Sequence, residues 1–308
     1  MKKILAFLLL FIASFAAAQD YTRYVNPLMG TQSSFELSAG NTYPAIAMPW
    51  GMNFWTPRTN KMGDGWQYTY TANKIYGFEQ THQPSPWIND YGQFSLMPVS
   101  GKVIMDEAER ASWFSHKSEV AQPHYYKVYL ADYDITTEIT PTERAAMFRF
   151  TFPDDSSFVV IDAYDCGSQI TVIPQEKKIV GYTTRNSGGV PDNFRNYFVV
   201  QFDKDFEYTA TFSSDEDGKK SELHSGRLHE DNYRTGAVIG FSTRKSEVVH
   251  ARVASSFISP EQAELNLKEL GNGSFAALVE KGRDRWNELL GRIQVSQENI
   301  DNIRTLYS

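Results

Sequence analysis

Residues 146–163 read AMFRFTFPDDSSFVVIDA. Two short runs, Ala146–Phe152 and Phe158–Ala163, are rich in aromatic and β-branched side chains, and the polar stretch Asp154–Ser157 separates them. This is the signature of two strands joined by a turn. The same texture continues on both sides. Upstream lie Ile75–Phe78, Phe94–Pro98, Tyr125–Leu130 and Asp134–Ile139. Downstream lie Ile170–Ile173, Ile179–Thr184, Arg195–Phe202, Glu207–Phe212, Gly236–Ser242 and Val248–Ile258. Asn186–Asn193, Ser213–Lys220 and His229–Asn232 are polar or glycine-rich and read as the connections between them. Many short strands at this spacing predict a mainly β domain, a sandwich or a barrel, from Tyr21 to about Phe257.

The texture changes at Ser259. Ser259 can cap a helix with Pro260 in its first position, and Gln262 completes a capping box. Ala263, Leu265, Leu267 and Leu270 follow, and Gly271-Asn272-Gly273 ends the segment. A second helix is expected from Phe275 to Leu290, and Gln297–Ser308 reads as a third that has barely begun. Residues 259–308 are therefore expected to be helical and, for want of a partner surface, to pack poorly. An autonomous domain seldom stops on an unburied apolar face, so the chain reads as the front part of a longer protein.

The first nineteen residues, MKKILAFLLLFIASFAAAQ, combine two lysines, an apolar stretch and an Ala-Ala-Ala cleavage region. That is a secretory signal peptide, removed near Ala18–Gln19. No later run reaches eighteen consecutive apolar residues, so no membrane span is expected. The mature protein reads as exported, to the periplasm or the extracellular space. The single cysteine, Cys166, excludes an intramolecular disulfide, so the fold must rest on its own core. With 37 acidic against 30 basic residues, the net charge of −7 speaks against nucleic acid as a partner. Aromatic residues make up 14% of the chain, and aromatic faces either fill β cores or stack on sugar rings.

The loop Thr81–Phe94, THQPSPWINDYGQF, is longer and chemically richer than chain reversal requires. It belongs to a larger pattern. NPLMGTQSSFELSAGNTYPAIAMPWGMNFWTPRT, then GWQYTYTANKIYGFEQTHQPSPWINDYGQFSLMP, SHKSEVAQPHYYKVYLADYDITTEITPTERAAMFRFTFP, SFISPEQAELNLKEL and RWNELLGRIQV occur in that order. Together they resemble the N-terminal domain of glycoside hydrolase family 92, exo-acting α-mannosidases, across essentially all of the mature chain.

The resemblance implies a sandwich of the galactose mutarotase-like, supersandwich kind (20–258) behind the signal peptide (1–19). It further implies a helical linker and the start of an (α/α)6 catalytic barrel (259–308). Such enzymes are inverting and calcium-dependent, with the acid and base carboxylates and most Ca2+ contacts on the barrel. They trim mannose from N-glycan-type oligosaccharides, here with α-1,2 linkage as the expectation. On this reading the chain carries no catalytic or metal-ligating residue, its catalytic domain lies beyond Ser308, and mannose-containing oligosaccharides are its partners. The alternatives are a non-catalytic carbohydrate-binding or docking module and, with less support, an N-glycan amidase relative.

The resemblance also makes the 81–94 loop one lip of the sugar pocket. Trp87 matches a pocket aromatic whose face stacks on mannose, and His82 and Asp90 flank it with hydrogen-bonding groups for hydroxyls. Asn41, Trp50 and Trp66 are further candidates, with a core role favoured for Trp50 and Trp66 and a turn-holding role for Asp90. His116, Glu119, Glu138 and Arg144 read as buried charge pairs. Asp154-Asp155, Asp215-Glu216-Asp217 and Asp64 lie in polar turns, where carboxylates are usually solvated, and none is nominated as acid or base.

Overall fold

The computed structural model describes residues 20–32, 42–60, 67–82, 90–153, 156–216, 221–296 and 298–308. Trp87, Asn41 and Trp66 lie outside them. The first strands are β1 (Phe54–Arg58), β2 (Lys74–Ile75), β3 (Gly77–Thr81), β4 (Phe94–Ser100), β5 (Ser112–Trp113) and β6 (Val120–Gln122). There follow β7 (Tyr125–Leu130), β8 (Ile135–Pro141), β9 (Ala145–Phe152), β10 (Ser157–Asp162), β11 (Ser168–Ile173) and β12 (Lys178–Thr183). The last six are β13 (Asn196–Phe202), β14 (Tyr208–Ser214), β15 (Glu222–Ser225), β16 (His229–Asn232), β17 (Arg234–Phe241) and β18 (Glu247–Ser256). Helices α1 (Pro260–Leu267), α2 (Phe275–Leu290) and α3 (Ile300–Tyr307) close the chain.

The strands form a seven-stranded sheet ordered β1-β3-β4-β10-β17-β14-β15 and a nine-stranded sheet ordered β16-β11-β12-β13-β18-β9-β8-β7-β6, with β2 and β5 as a separate pair. All the pairings are antiparallel. The two large sheets face each other, as aromatic contacts across the interior show: Trp55 of β1 meets Phe148 of β9 edge-on at 5.3 Å, and Phe94 of β4 stacks on Phe198 of β13 at 4.5 Å. The mainly β sandwich expected from the sequence is what forms.

The outer faces are not uniformly solvent-exposed. Every residue of β3, Gly-Phe-Glu-Gln-Thr, is buried, so Glu79 and Thr81 are enclosed as well as Phe78 and Gln80. On the nine-stranded sheet, the outward residues Ala145, Met147, Val199 and Ala254 are covered by Ala263, Leu267, Leu270, Phe275 and Leu278 from the helical segment. The expectation that residues 259 onward pack poorly is thus corrected for α1 and α2. Their apolar stripes find the sheet's outer face, which alternation along β9 leaves apolar at positions 145 and 147. Only α3 has no buried residue.

Three further readings change. Ser259 Oγ does accept from Gln262 N at 3.2 Å, but the Gln262 amide donates to Asn266 at 2.9 Å, so half the capping box forms. Ile75–Phe78 is not one strand: Ile75 pairs with Ser112, while Gly77 begins β3 against β1. His229–Asn232, polar enough to read as a loop, is edge strand β16 against β11. An edge strand needs fewer apolar residues because one side faces water.

Candidate functional site

One end of the sandwich holds a continuous buried polar network. The β8–β9 turn, the end of β18, the start of β13 and the end of β3 meet there, as the pairings Ala145↔Ala254, Tyr197↔Ser256 and Phe54↔Thr81 require. Asn53 donates to the Arg144 carbonyl at 2.9 Å and to Ser255 Oγ at 3.2 Å. Gln80 donates to the same hydroxyl at 2.8 Å. Asn196 donates to Gln80 Oε1 at 3.1 Å and to the Gly92 carbonyl at 2.6 Å. These short amide and hydroxyl side chains cross from one sheet to the other, where a hydrophobic contact would leave backbone carbonyls unsatisfied.

His82 and Asp90 stand at the far side of this network, at the two ends of segment 83–89. Asp90 Oδ2 accepts from Thr81 Oγ1 and from the His82 backbone N–H, the latter at 2.9 Å. His82 Nδ1 lies 2.8 Å from the Tyr91 carbonyl, which can only accept, so the ring proton sits on Nδ1. The imidazole stacks on Tyr91 at 5.4 Å and meets Phe257 edge-on at 4.8 Å. Burial pulls the His82 pKa down to about 4, against the smaller opposing effect of the Tyr91 hydrogen bond. Burial likewise pushes Asp90 up to about 6, although its hydrogen bonds to Thr81, Tyr91, His82 and Gln67 favour the charged form. The His82 side chain is 2% exposed, and its Nε2, a lone-pair acceptor in this tautomer, has no partner among the described residues.

Deeper under the outer face of the seven-stranded sheet lies an ionic group that the sequence did not single out. Glu79 accepts from Tyr164 Oη at 2.6 Å and from Gln93 at 3.3 Å, and sits 3.4 Å from Arg58 Nε. Burial raises it to about 7 in spite of Arg58. Asp162 is bracketed by Arg110 at 2.8 Å and Arg234 at 2.6 Å, and these cations outweigh its burial and hold it well below the usual carboxylate range. A raised carboxyl is what a glycosidase acid needs, but Glu79 is 1% exposed and already occupied. Its one trace in the sequence is a lone acid inside the strand run GFEQT.

Other candidates fall elsewhere. His116 pairs with buried Glu119 at 2.5 Å and Glu138 with Arg149 at 2.6 Å, whereas Arg144 is exposed and reaches Glu269 on the helical segment. The expected buried pair for Arg144 is therefore corrected: it sits in the tight β8–β9 turn, which points its side chain outward. Trp50 is corrected too, being 87% exposed and not part of the core. Among the described residues no group of three or more His, Cys, Asp or Glu could hold a metal ion. A cavity of about 490 Å³ opens away from this end, between β18 and the start of α2; Arg149 and His250 there are already paired with Glu138 and Asp203.

Comparison with known proteins places this architecture. An inverting mannosidase of family GH92 from Bacteroides thetaiotaomicron superposes with a TM-score of 0.88 at 43% identity, covering 94% of this chain and 38% of its own. A family GH92 α-mannosidase from the same organism gives 0.80 at 28% identity over 94% of this chain and 40% of its own. An uncharacterized secreted glycosidase of Arthroderma benhamiae is 25% identical over 96% of this chain and 42% of its own length. The chain thus spans about two fifths of the relatives it matches. Residues 24–256 match the model of the glycosyl hydrolase family 92 N-terminal domain, and the chain belongs to that family.

Proposed function

We propose that this chain is the N-terminal part of a secreted, calcium-dependent α-mannosidase that trims α-1,2-linked mannose from N-glycan-type oligosaccharides. Residues 20–258 supply one wall of the sugar pocket, and 259–308 lead into a helical (α/α)6 domain that carries the acid, the base and the calcium contacts. The observation that carries this reading is the 43% identity, over nearly the whole chain, with a family member described as an inverting mannosidase. The secreted glycosidase relative and the signal-like N-terminus support export, to the periplasm or beyond the cell.

In this reading Asp90 and His82 clasp the base of the segment that bears Trp87, and Trp87 stacks on the sugar beyond the scissile bond. Asn41 and Trp66 belong to the same pocket wall. The chain alone, supplied with calcium and α-mannobiosides, is expected to release no mannose, and a form extended by the helical domain is expected to do so. In that longer form Trp87→Ala should raise KM for disaccharides more than for an aryl mannoside lacking the second sugar. Robust turnover by the 308-residue chain would sink the division of labour.

A second reading, a non-catalytic carbohydrate-binding module, is favoured by the enclosure of Glu79 and Asp90, the two carboxyls with raised pKa values among the described residues, which are 1% and 4% exposed. Mannoside binding by a protein in which no extended form is ever active would select it.

A further inference from the structure

Residues 48–51, Met-Pro-Trp-Gly, make a turn closed by Gly51 N donating to the Met48 carbonyl at 3.0 Å. Pro49 occupies the second position, and Trp50, in the third, has φ of 63°. In a turn with this pattern the third position is the one glycine usually fills, and a bulky side chain there is held against strain. The turn is fixed from outside as well. Met52 N donates to the Glu143 carbonyl at 2.7 Å. A Cβ on Gly51 would lie 3.0 Å from the Met48 carbonyl and 3.2 Å from that of Glu143.

The strained residue is also the most exposed of the large hydrophobic side chains among the described residues, at 87%. Strain and exposure are both unfavourable, and among the described residues Trp50 gains neither a hydrogen bond nor a ring contact in return. Its position matters for the same reason. Asn53, three residues on, ties this turn through Ser255 and Gln80 to the network that ends at Gly92, next to Tyr91 and Asp90. Trp50 therefore stands on the same end of the sandwich as the His82–Asp90 clasp.

From this we propose that Trp50 is a second sugar-stacking platform, binding a hexose ring of the oligosaccharide. The inference rests on the mannoside reading above for which hexose it takes. A sugar ring presents an apolar face edged by hydroxyls, and this turn suits it: a bare indole face, no side chain at Gly51, and the exposed residue Glu143 on the segment to which the turn is tied, while Arg144 is turned to Glu269. A protein anchor would instead be expected inside a contiguous apolar patch.

The test uses Trp50→Gly and Trp50→Phe in the 308-residue chain, with α-1,2-mannobiose and a panel of other disaccharides titrated by calorimetry and NMR. Glycine suits a positive φ, so Trp50→Gly should fold and melt no lower than the parent chain. It should bind mannobiose about tenfold more weakly or worse, while Trp50→Phe keeps most of the affinity. Trp50-dependent binding of another hexose, without mannoside binding, would uphold the platform and overturn the mannoside reading. Equal binding by parent and Trp50→Gly, or binding of no sugar in the panel, would overturn the platform. So would an extended protein in which Trp50 is shielded from acrylamide before any sugar is added, since the indole would then be a protein contact.

Discussion

Replacing Asp90 with asparagine isolates the electrostatics of the clasp. The carboxyl is raised from an ordinary 3.8 to about 6, mainly because burial disfavours its charge. A group whose pKa is raised by folding contributes stability that is present below the unfolded value and lost as pH climbs through the folded one. At about 1.4 kcal/mol per tenfold change in proton affinity, the ionised Asp90 costs the fold about 3 kcal/mol once the pH is well above 6. Asparagine is nearly isosteric and keeps an oxygen to accept from His82 N–H and the Thr81 hydroxyl. Gln67 hydrogen-bonds the Asp90 carboxyl and its Oε1 is buried without a partner among the described residues, so a turn of the Gln67 amide would let it accept from the new N–H group.

Asp90→Asn should therefore stabilise the chain by an amount that depends on pH: about 0.5 kcal/mol at pH 4, most of the full effect by pH 6, and about 3 kcal/mol at pH 8. Urea unfolding of both proteins at these three values, followed by far-UV circular dichroism, measures it. A difference that stays flat with pH, or that turns against asparagine as pH rises, would refute the reasoning, because the native carboxyl would then be no weaker an acid than in the unfolded chain. Stabilisation by asparagine would also say something about use. A charge that folding resists, kept next to segment 83–89, would fit the proposed role of that segment in ligand recognition.

Other consequences follow from packing and charge. Asp162→Ala leaves Arg110 and Arg234 facing each other in the interior and should cost about 3–5 kcal/mol in urea unfolding, whereas a loss under 1 kcal/mol would mean water reaches the arginines. Gly236→Ala would set a Cβ 2.0 Å from Phe212 Cζ, so it should lower the melting temperature at a cost of about 1–3 kcal/mol, and Phe212→Leu in the same chain should recover part of it. Leu270→Ala empties a fully enclosed place between the helical segment and the sheet; a cost of about 2–5 kcal/mol is expected, with faster proteolysis within residues 259–308. Unchanged proteolysis would show that α1 and α2 are held by something other than that contact.

Strand positions were legible wherever neighbouring side chains reported a local environment. Tyr125–Leu130 has the same limits in sequence and structure, β9 starts one residue before its reading, and β10 is shifted by one residue at both ends. Their apolar runs are set by burial against the opposite sheet, which any nearby residue in the strand shares. The docking of α1 and α2 was not legible, because the surface that receives them is spread over Ala145, Met147, Val199 and Ala254, more than a hundred residues apart in the chain. Ala254 lies close to α1 in the chain, but Ala145, Met147 and Val199 fall in no window of sequence that also contains the helices.

The site divides in the same way. His82 and Asp90 were visible as unusual residues at the ends of a decorated loop, but not the reason they are held, since nothing in the residue types of Thr81, Tyr91 and Gln67 marks them as partners. Glu79 was invisible for a stronger reason. Its raised pKa comes from burial, which outweighs Arg58 and the hydrogen bonds from Tyr164 and Gln93, and the enclosure is supplied by segments that sequence does not bring together. Trp50 shows the converse error. Read by composition, a tryptophan between proline and glycine in MPWGM belongs in the core; read as a turn, the proline in second position already places its successor where glycine would normally stand. A residue held at positive φ has its side chain direction dictated by the turn and not by hydrophobicity, and this turn, fixed on the Glu143 carbonyl, points the indole into water. Backbone geometry overrode the transfer preference of the largest apolar side chain, and the Trp50→Gly comparison measures whether a ligand is what repays that conflict.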